Sequence, residues 1–209
     1  ELLEQYKKGV MQKIFSQEVR FKIENDAGEL VESPEWEEKF LGEVSTRITR
    51  KNTEDNQNVL TISAQLGLVS QLEYFNKSVS SNNLTGYYLL EKGDFAYNKS
   101  YSKGYPMGAI KSLSKYEKGV VSTLYICFRF QDIINAEFME HYFESGIHNS
   151  ELEQIAQEGA RNHGLLNIGV NDFFNIRLQI PSYAEQTKIT KFLSAIDKKI
   201  NHTQTQIEK

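Results

Sequence analysis

The C-terminal stretch 182–209, SYAEQTKITKFLSAIDKKINHTQTQIEK, decides how this chain is built. Apolar or threonine side chains recur in it at alternating steps of four and three residues: Ile189, Leu193, Ile196, Ile200, Thr203 and Ile207. This heptad spacing is typical of a helix that packs against another helix, and Phe192 widens the apolar stripe. Ser182 and Glu185 have the spacing of a capping box, in which Glu185 reaches back to the helix start. At a length of about 40 Å, much of the helix is expected to contact another helix.

The N-terminal residues supply a candidate partner for that helix. Residues 1–21 carry an apolar stripe at helical spacing, formed by Leu3, Tyr6, Val10 and Ile14. We expect an antiparallel coiled coil of the two terminal helices, with each other or with a helix from a second copy or second half. The alternative is that both helices pack on the central domain.

The middle of the chain has a different pattern. Short apolar or alternating runs bounded by Asn, Ser and Gly indicate strands of a twisted, antiparallel or mixed sheet. These runs are 59–63, 67–72, 87–90, 94–98, 108–112, 120–130 and 174–180. Helices are expected from Asn135 to about Gly146 and from Ser150 to about Gln157. The fold class predicted is α+β, with a β-rich domain flanked by long terminal helices.

Composition narrows the function classes. The 209 residues are 39% hydrophobic, which is typical of a globular domain. The longest nearly apolar stretch, 120–130, is too short to cross a bilayer, and no basic-then-apolar leader opens the sequence, so no membrane partner is expected. Cys127 is the only cysteine. A disulfide within the chain is therefore excluded, and a reducing, cytoplasmic location is expected.

Charge is distributed unevenly along the chain. The net charge of −4 does not by itself indicate a nucleic-acid partner. However, seven acidic and no basic residues lie between Glu24 and Glu38, whereas five lysines and one glutamate lie between Lys99 and Lys118. This segregation allows an acidic protein to present a basic face.

Four blocks of sequence carry a resemblance to a known family. They are QKIFSQE at 12–18 with Trp36 and LGEV at 41–44, NKSYSKGYP at 98–106, GARNHG at 159–164, and the IPS, EQ, KI, FL and ID pairs within 180–197. Together these blocks resemble the specificity subunits of type I restriction–modification systems. The first and last blocks make the resemblance specific, and it extends over essentially the whole chain.

The resemblance implies an organisation and a function. Such subunits carry two target-recognition domains separated by conserved helices, and each domain recognises half of a split DNA site. The implied divisions are a conserved-region helix at 1–23, an acidic linker at 24–35, a target-recognition domain at 36–181 and a truncated conserved helix at 182–209. The implied partners are double-stranded DNA, modification subunits and, through them, restriction subunits, with a homodimer through the terminal helices as a further option.

Candidate DNA-contacting residues lie in four segments. Lysines and arginines neutralise phosphates, and amides and hydroxyls bind phosphates or base edges. The candidates are Arg47, Thr49, Arg50 and Lys51; Asn82 and Asn83; Lys99, Tyr101, Ser102, Lys103 and Tyr105; and Arg161 and Asn162. A solvated hairpin, an exposed strand edge or a structural turn remains the alternative for each segment.

Catalytic motifs are missing from the sequence. It contains no G-x-G-x-x-G, Walker or H-E-x-x-H motif, and its four histidines include no pair spaced by four residues. We therefore expect a non-catalytic protein without metal or cofactor. A coiled-coil scaffolding module without direct base recognition is the alternative function, and the acidic balance favours it slightly.

Overall fold

A computed structural model describes residues 1–75, 83–156 and 166–207, with the side chain of Ile207 left out. The described helices are α1 Leu2–Phe15, α2 Leu41–Val44, α3 Gln71–Phe75, α4 Ala136–Ser145, α5 Asn149–Ile155, α6 Val170–Phe174 and α7 Tyr183–Ile207. The described strands are β1 Ile23–Glu24, β2 Leu30–Val31, β3 Glu37–Phe40, β4 Ser45–Ile48, β5 Leu60–Ser63, β6 Gly67–Ser70, β7 Tyr88–Glu91, β8 Phe95–Asn98, β9 Ala109–Ser112, β10 Lys118–Val121, β11 Ile126–Phe130 and β12 Arg177–Ile180.

The chain divides into two compact units. The first unit contains Glu1–Lys39, Asp132–His148 and Arg177–Lys209, and the second contains Phe40–Gln131 and Asn149–Ile176. The segment 36–181, predicted as one domain, therefore contributes residues to both units.

The first unit is built on α1, α4 and α7. Phe15 is buried in its core, with ring centroids 5.8 Å from Phe138, 5.4 Å from Tyr142 and 6.5 Å from Trp36. Lys7 of α1 forms an ion pair with Asp197 of α7.

Further along, Glu4 accepts a hydrogen bond from Gln204, so α1 and α7 run antiparallel. Part of each apolar stripe is buried in this unit, with Ile14 of α1 and Ile189, Leu193 and Ile196 of α7 in its core.

The first helix is shorter than the sequence predicts. It ends at Phe15, whereas the stripe predicts a helix over 1–21. Gln17 adopts a left-handed φ of 63°, and the amide of Val19 donates to the carbonyl of Lys13, which closes the helix end. The extra residues predicted as helix instead place Arg20 and Phe21 against α7, where the Phe21 ring lies 5.6 Å from Phe192.

The acidic segment 24–35, predicted as a linker, contains part of a short hairpin. Strands β1 and β2 pair antiparallel, with Ile23 opposite Val31. The side-chain oxygen of Asn25 accepts hydrogen bonds from the amides of Ala27 and Glu29, and Gly28 takes a φ of 78°. This Asx turn reverses the chain within a few residues.

At the start of α7, one of the two hydrogen bonds of the predicted capping box is formed. The Ser182 hydroxyl accepts from the amide of Glu185 at 3.3 Å, as predicted. The Glu185 carboxylate, predicted to reach back to the helix start, instead accepts hydrogen bonds from Arg20, Trp36 and the amide of Phe21. The prediction for Glu185 was wrong because donors distant in sequence compete with the local amide.

Glu185 is fully buried in the first unit. Burial acts to raise its pKa, but hydrogen bonds from Arg20, Ser33 and the Phe21 amide outweigh burial and hold the pKa of Glu185 below its ordinary value. The carboxylate is therefore charged, and it joins α7 to the segment after α1 and to Trp36.

The second unit contains a four-stranded antiparallel sheet in the order β4-β11-β8-β9. On one face, Ala96 and Cys127 lie in a core cluster with leucines of β5, β6 and β7. On the other face, the ring of Tyr97 stacks on Phe173 of α6 at 4.7 Å. Both faces are covered, so the strands are rich in buried residues on both sides.

The second unit also contains two two-stranded antiparallel sheets. Strand β5 pairs with β6 and β7 with β10, both antiparallel. The amide of Leu89 donates to the carbonyl of Arg50, which connects the β7 pair to the chain after β4. The α+β class and the antiparallel sheets were thus predicted correctly.

Three predicted strands have different limits. The run 120–130 is two strands, β10 and β11, because the amide of Tyr125 donates to the carbonyl of Ser122 in a turn between them. The run 67–72 stops at Ser70, where α3 begins, and 174–180 covers the end of α6 and then β12. Apolar periodicity alone does not show such breaks, because both neighbouring elements are buried.

Candidate nucleic-acid interface

The loop between β8 and β9, residues 99–108, has a defined shape. Ser102 and Tyr105 exchange backbone hydrogen bonds around a turn in which Gly104 has a φ of 86°. Gly108 has a φ of 78°, and a Cβ atom there would lie 2.3 Å from the carbonyl oxygen of Asn98. Both glycines are required by the backbone. Tyr101 is 65% exposed at this loop, and Lys103 is exposed as well.

Lys99 has a structural contact in addition to its predicted role. Its ammonium group donates to the carbonyl of Ile168 at 3.3 Å, and its carbonyl accepts from the amide of Leu166 at 3.0 Å. The 99–108 loop is therefore anchored to the chain that directly follows the GARNHG block. The candidates Arg161 and Asn162 of that block, like Asn82, lie outside the described residues.

Lys111 of β9 was not among the predicted residues. Its ammonium group lies 4.8 Å from the ring centroid of Tyr105 and 3.3 Å from the Tyr105 hydroxyl. This cation–π contact holds the Tyr105 ring at the base of the 99–108 loop. Lys111 lies 12 positions after Lys99 in the sequence. The antiparallel pairing of β8 with β9 places the strand that carries Lys111 beside the strand that ends just before Lys99.

Lys51 contacts the chain that follows Asn83. Lys51 donates to the carbonyl of Gly86 at 2.8 Å and lies 4.4 Å from the ring centroid of Tyr88. The side-chain oxygen of Asn83 accepts from the amide and hydroxyl of Thr85. We call Lys51, Gly86 and Tyr88 the Lys51 surface.

Arg47 and Arg50 occupy different surroundings. Arg47 lies opposite Phe128 in the pairing of β4 with β11 and is exposed, as is Thr49. Arg50 instead lies 3.5 Å from Asp94 and 3.4 Å from Glu91. The sequence does not indicate this ion pairing, because the partners are about 40 residues away and come together only through strand pairing.

Asp94 and Glu91, the acidic partners of Arg50, also form ion pairs with Arg129. Arg129 was not among the residues predicted from the sequence. Arg129 donates from Nε to the buried carboxylate of Asp94 at 2.5 Å and lies 3.6 Å from Glu91. A cleft of about 240 Å³ opens at this cluster, and its lining includes Thr46 and Gln131. Burial raises the pKa of Asp94, and the Glu91 amide and Arg129 offset part of that effect.

Three of the five lysines of 99–118 have contacts within the second unit. Lys99 and Lys111 have the contacts described above, and Lys118 forms an ion pair with Glu54 at 2.6 Å. Positive charge is thus partly neutralised along this segment, and the exposed lysine of the 99–108 loop is Lys103.

The candidate contacts fall at opposite ends of β8. Asp94, with its arginines, directly precedes this strand, and Lys99 directly follows it. Five residues of extended chain span about 16 Å. The structure therefore separates Arg50 from the 99–108 loop along β8.

The residues predicted for helix pairing divide by burial. Ile14, Ile189, Leu193 and Ile196 are buried in the first unit. Leu3, Val10, Phe192 and Ile200 are half-buried, and Tyr6 is 54% exposed. The side chain of Ile207 lies outside the described part of the chain.

Among the described residues, no group of three or more His, Cys, Asp or Glu side chains is close enough to hold a metal ion. None of the described helices is both long and apolar enough to span a membrane.

A family profile identifies the chain. The profile described as type I restriction modification DNA specificity domain matches residues 34–209. The chain therefore belongs to this family, whose domains recognise DNA targets. No curated protein sequence matched the chain.

Solved structures with the same fold agree with this assignment. The HsdS subunit from Thermoanaerobacter tengcongensis has a TM-score of 0.55 at 16% identity, over 96% of this chain and 46% of that one. The S subunit of a type I system from M. genitalium has a TM-score of 0.51 at 13% identity, over 99% and 50%. A structure from work on complex assembly and conformational transition of the type I R-M system has a TM-score of 0.56 at 15% identity, over 99% and 49%. The chain thus spans about half the length of these structures.

Proposed function

We propose that this chain recognises one half of a bipartite DNA site and directs modification subunits, and through them restriction subunits, to that site. The family match over residues 34–209 carries the proposal. The coverage of about half of each related structure supports a single recognition half. The protein would act in the cytoplasm, where its DNA target is found.

The second unit supplies the DNA-contacting surface of this proposal. The 99–108 loop presents Lys103 and Tyr101, and the Lys51 surface presents an ammonium group, with the exposed Asn83 three residues before Gly86 in the chain. Lysines supply sequence-independent phosphate contacts, whereas amides and hydroxyls bind base edges. The turn geometry at Gly104 and Gly108 restricts the loop, which lowers the entropy lost on binding. Arg47, Arg161, Asn162 and Asn82 remain candidates for further contacts.

The terminal helices supply the partner-binding part of the proposal. We infer that α1 and α7 form an antiparallel coiled coil that extends to a helix of a second half or second copy. The buried members of the stripe stabilise the first unit, and the exposed Tyr6 and half-buried Ile200 remain for the added helix. Methylation and cleavage belong to the partner subunits in this proposal, and the chain itself is non-catalytic.

Duplex binding at several salt concentrations tests the proposal. Binding should fall steeply with salt, and Lys103→Ala should weaken binding of all duplexes and reduce the salt slope by about 1. Lys22→Ala is the matched control, because Lys22 is an exposed lysine of the first unit that pairs with Glu32. The control should leave the slope unchanged. An unchanged slope for Lys103→Ala would remove the 99–108 loop from the interface.

A scaffolding module without base recognition is the second candidate. The net charge of −4 and the ion-paired Lys118 favour it. The intact assembly with modification subunits distinguishes the two functions. If that assembly binds all duplexes equally, and exchanging the second unit leaves its preference unchanged, the scaffolding function is correct.

A further inference from the structure

The cleft at the start of β8 contains two arginines that share one buried carboxylate. Asp94 has no exposed surface and accepts hydrogen bonds from the amide of Glu91 at 2.7 Å and from Nε of Arg129 at 2.5 Å. Arg50 approaches the other oxygen of Asp94 at 3.5 Å. A carboxylate held by a backbone amide is rigid, so the guanidinium groups bound to it are held in place.

Both arginine side chains remain open to solvent. The side chain of Arg129 is 46% exposed and that of Arg50 is 43% exposed. Among the described residues, Nε is the only nitrogen of Arg129 that donates a hydrogen bond. One terminal nitrogen, Nη2, lies 3.6 Å from the Glu91 carboxylate as an ion pair, and among the described residues neither terminal nitrogen has an acceptor within hydrogen-bond distance. Arg50, in contrast, donates to the carbonyl of Leu89 as well as to Asp94.

The charges of the cleft indicate which acceptor fits these N–H groups. Two guanidinium groups face the carboxylates of Asp94 and Glu91. Lys118 lies 3.9 Å from Glu91 and is itself paired with Glu54 at 2.6 Å, so the cluster is close to neutral. A phosphate would be repelled by the carboxylates as much as it is attracted by the arginines. A neutral base edge meets no such repulsion, and guanine offers two adjacent acceptors, O6 and N7, that match the terminal N–H groups of an arginine.

We propose that Arg129, positioned by Asp94, recognises a guanine in the DNA target of this domain. The inference rests on the proposed DNA-recognition function and names one base-contacting residue for it. Asp94 and Arg50 act as positioning residues, and the exposed Thr46 at the cleft is available to a neighbouring base or sugar atom.

Selection of bound duplexes from a random library tests this inference. The whole chain is used, with its modification subunits where these are needed for binding. Arg129→Lys keeps the positive charge but lacks the planar fork, so it should lose roughly tenfold or more of the preference for guanine at one position. Asp94→Asn should weaken the same preference and no other, because it frees the Arg129 side chain.

Arg47→Ala is the matched control, since Arg47 lies on the strand next to Arg129 and has no acidic partner among the described residues. It should weaken all sequences alike and leave each base preference intact. Circular dichroism and thermal unfolding verify that each variant is folded. The conservative variant Arg129→Lys carries the test if Asp94→Asn does not fold.

The possible outcomes distinguish failure of the guanine contact from failure of the proposed DNA-recognition function. A wild-type assembly that enriches no sequence would overturn the proposed function and this inference with it. A wild type that enriches a sequence, while folded Arg129→Lys retains every preference, overturns the inference alone. Uniform weakening of all sequences by Arg129→Lys would assign Arg129 to the phosphate backbone and likewise overturn the guanine contact.

Discussion

At the scale of single residues, two glycines of one loop differ in what their surroundings allow. Gly104 and Gly108 both have positive φ, but space is open around Gly104, whereas a Cβ on Gly108 would collide with the Asn98 carbonyl. The sequence shows two glycines in NKSYSKGYPMG without distinguishing them. The difference arises because β8 and β9 pair, which brings the Asn98 carbonyl beside Gly108.

Gly104→Ala and Gly108→Ala form a matched pair of variants. Gly104→Ala should destabilise the second unit by about 1 kcal/mol, the cost of a left-handed alanine. Gly108→Ala should cost at least about 1 kcal/mol more, because the collision adds to the same backbone strain. Hydrogen exchange of the β8 and β9 amides measures both. Equal protection in the two variants would contradict the collision.

Two buried histidines give the first unit a dependence on pH. Burial lowers the pKa of His141 to about 4 and that of His148 to about 3, from an ordinary value of 6.5. As pH falls below 6.5 the unfolded chain takes up protons before the folded chain does. The histidines therefore stabilise the fold above pH 6.5, and this contribution is lost as pH falls toward 4.

Between pH 6.5 and 5 the free energy of unfolding should fall by about 1 kcal/mol per pH unit for each buried histidine, because the unfolded histidine becomes protonated progressively over this range. Trp36 is the only tryptophan and lies in the first unit, so its fluorescence follows this transition. His141→Gln should reduce the slope, whereas His202→Gln, at an exposed position of α7, should leave it unchanged. If His141→Gln leaves the pH dependence of the unfolding free energy unchanged, the lowered pKa of His141 is contradicted.

At the scale of elements, α7 is positioned by a buried ion pair at its first turn. Arg20 is 20% exposed and Glu185 fully buried, and the pair is reinforced by Trp36 and the Phe21 amide. The hydrogen bond from the Glu185 amide to the Ser182 hydroxyl can be predicted from the sequence, because the two residues are three positions apart. The binding of the Glu185 carboxylate to Arg20 cannot be predicted in this way, because Arg20 is 165 positions away.

Arg20→Met should destabilise the first unit by about 3 kcal/mol, since it leaves the Glu185 carboxylate buried and without its cationic partner. Lys22→Met removes an exposed pair with Glu32 and should change stability little. Urea unfolding monitored by Trp36 fluorescence compares them. Similar midpoints for the two variants would mean that the buried pair contributes no more than the exposed one.

At the scale of the whole molecule, the apolar stripes of the terminal helices have two roles. Their buried members stabilise the first unit, and Tyr6 lies outside that core. The heptad pattern predicts both sets alike, because periodicity records which side of a helix is apolar and not what covers it.

Tyr6→Asp should therefore leave the melting temperature nearly unchanged and weaken association with a partner helix, whether from a second copy or a second half. Leu193→Ala should instead cost about 2–5 kcal/mol of stability, because Leu193 is fully buried. Analytical ultracentrifugation and thermal unfolding measure the two effects separately. Unchanged association in Tyr6→Asp would exclude this part of α1 from the partner interface.

The sequence by itself determined the α+β class, the long C-terminal helix, most strand positions and the family to which the chain belongs. These features follow from local periodicity and from motifs, which depend on neighbouring residues in the chain. Tertiary structure decided where α1 ends, how 120–130 divides, which donors bind Glu185 and which acids hold Arg50 and Arg129. Those choices depend on groups far apart in sequence, because a buried charge or amide binds whichever partner the fold brings within hydrogen-bond distance.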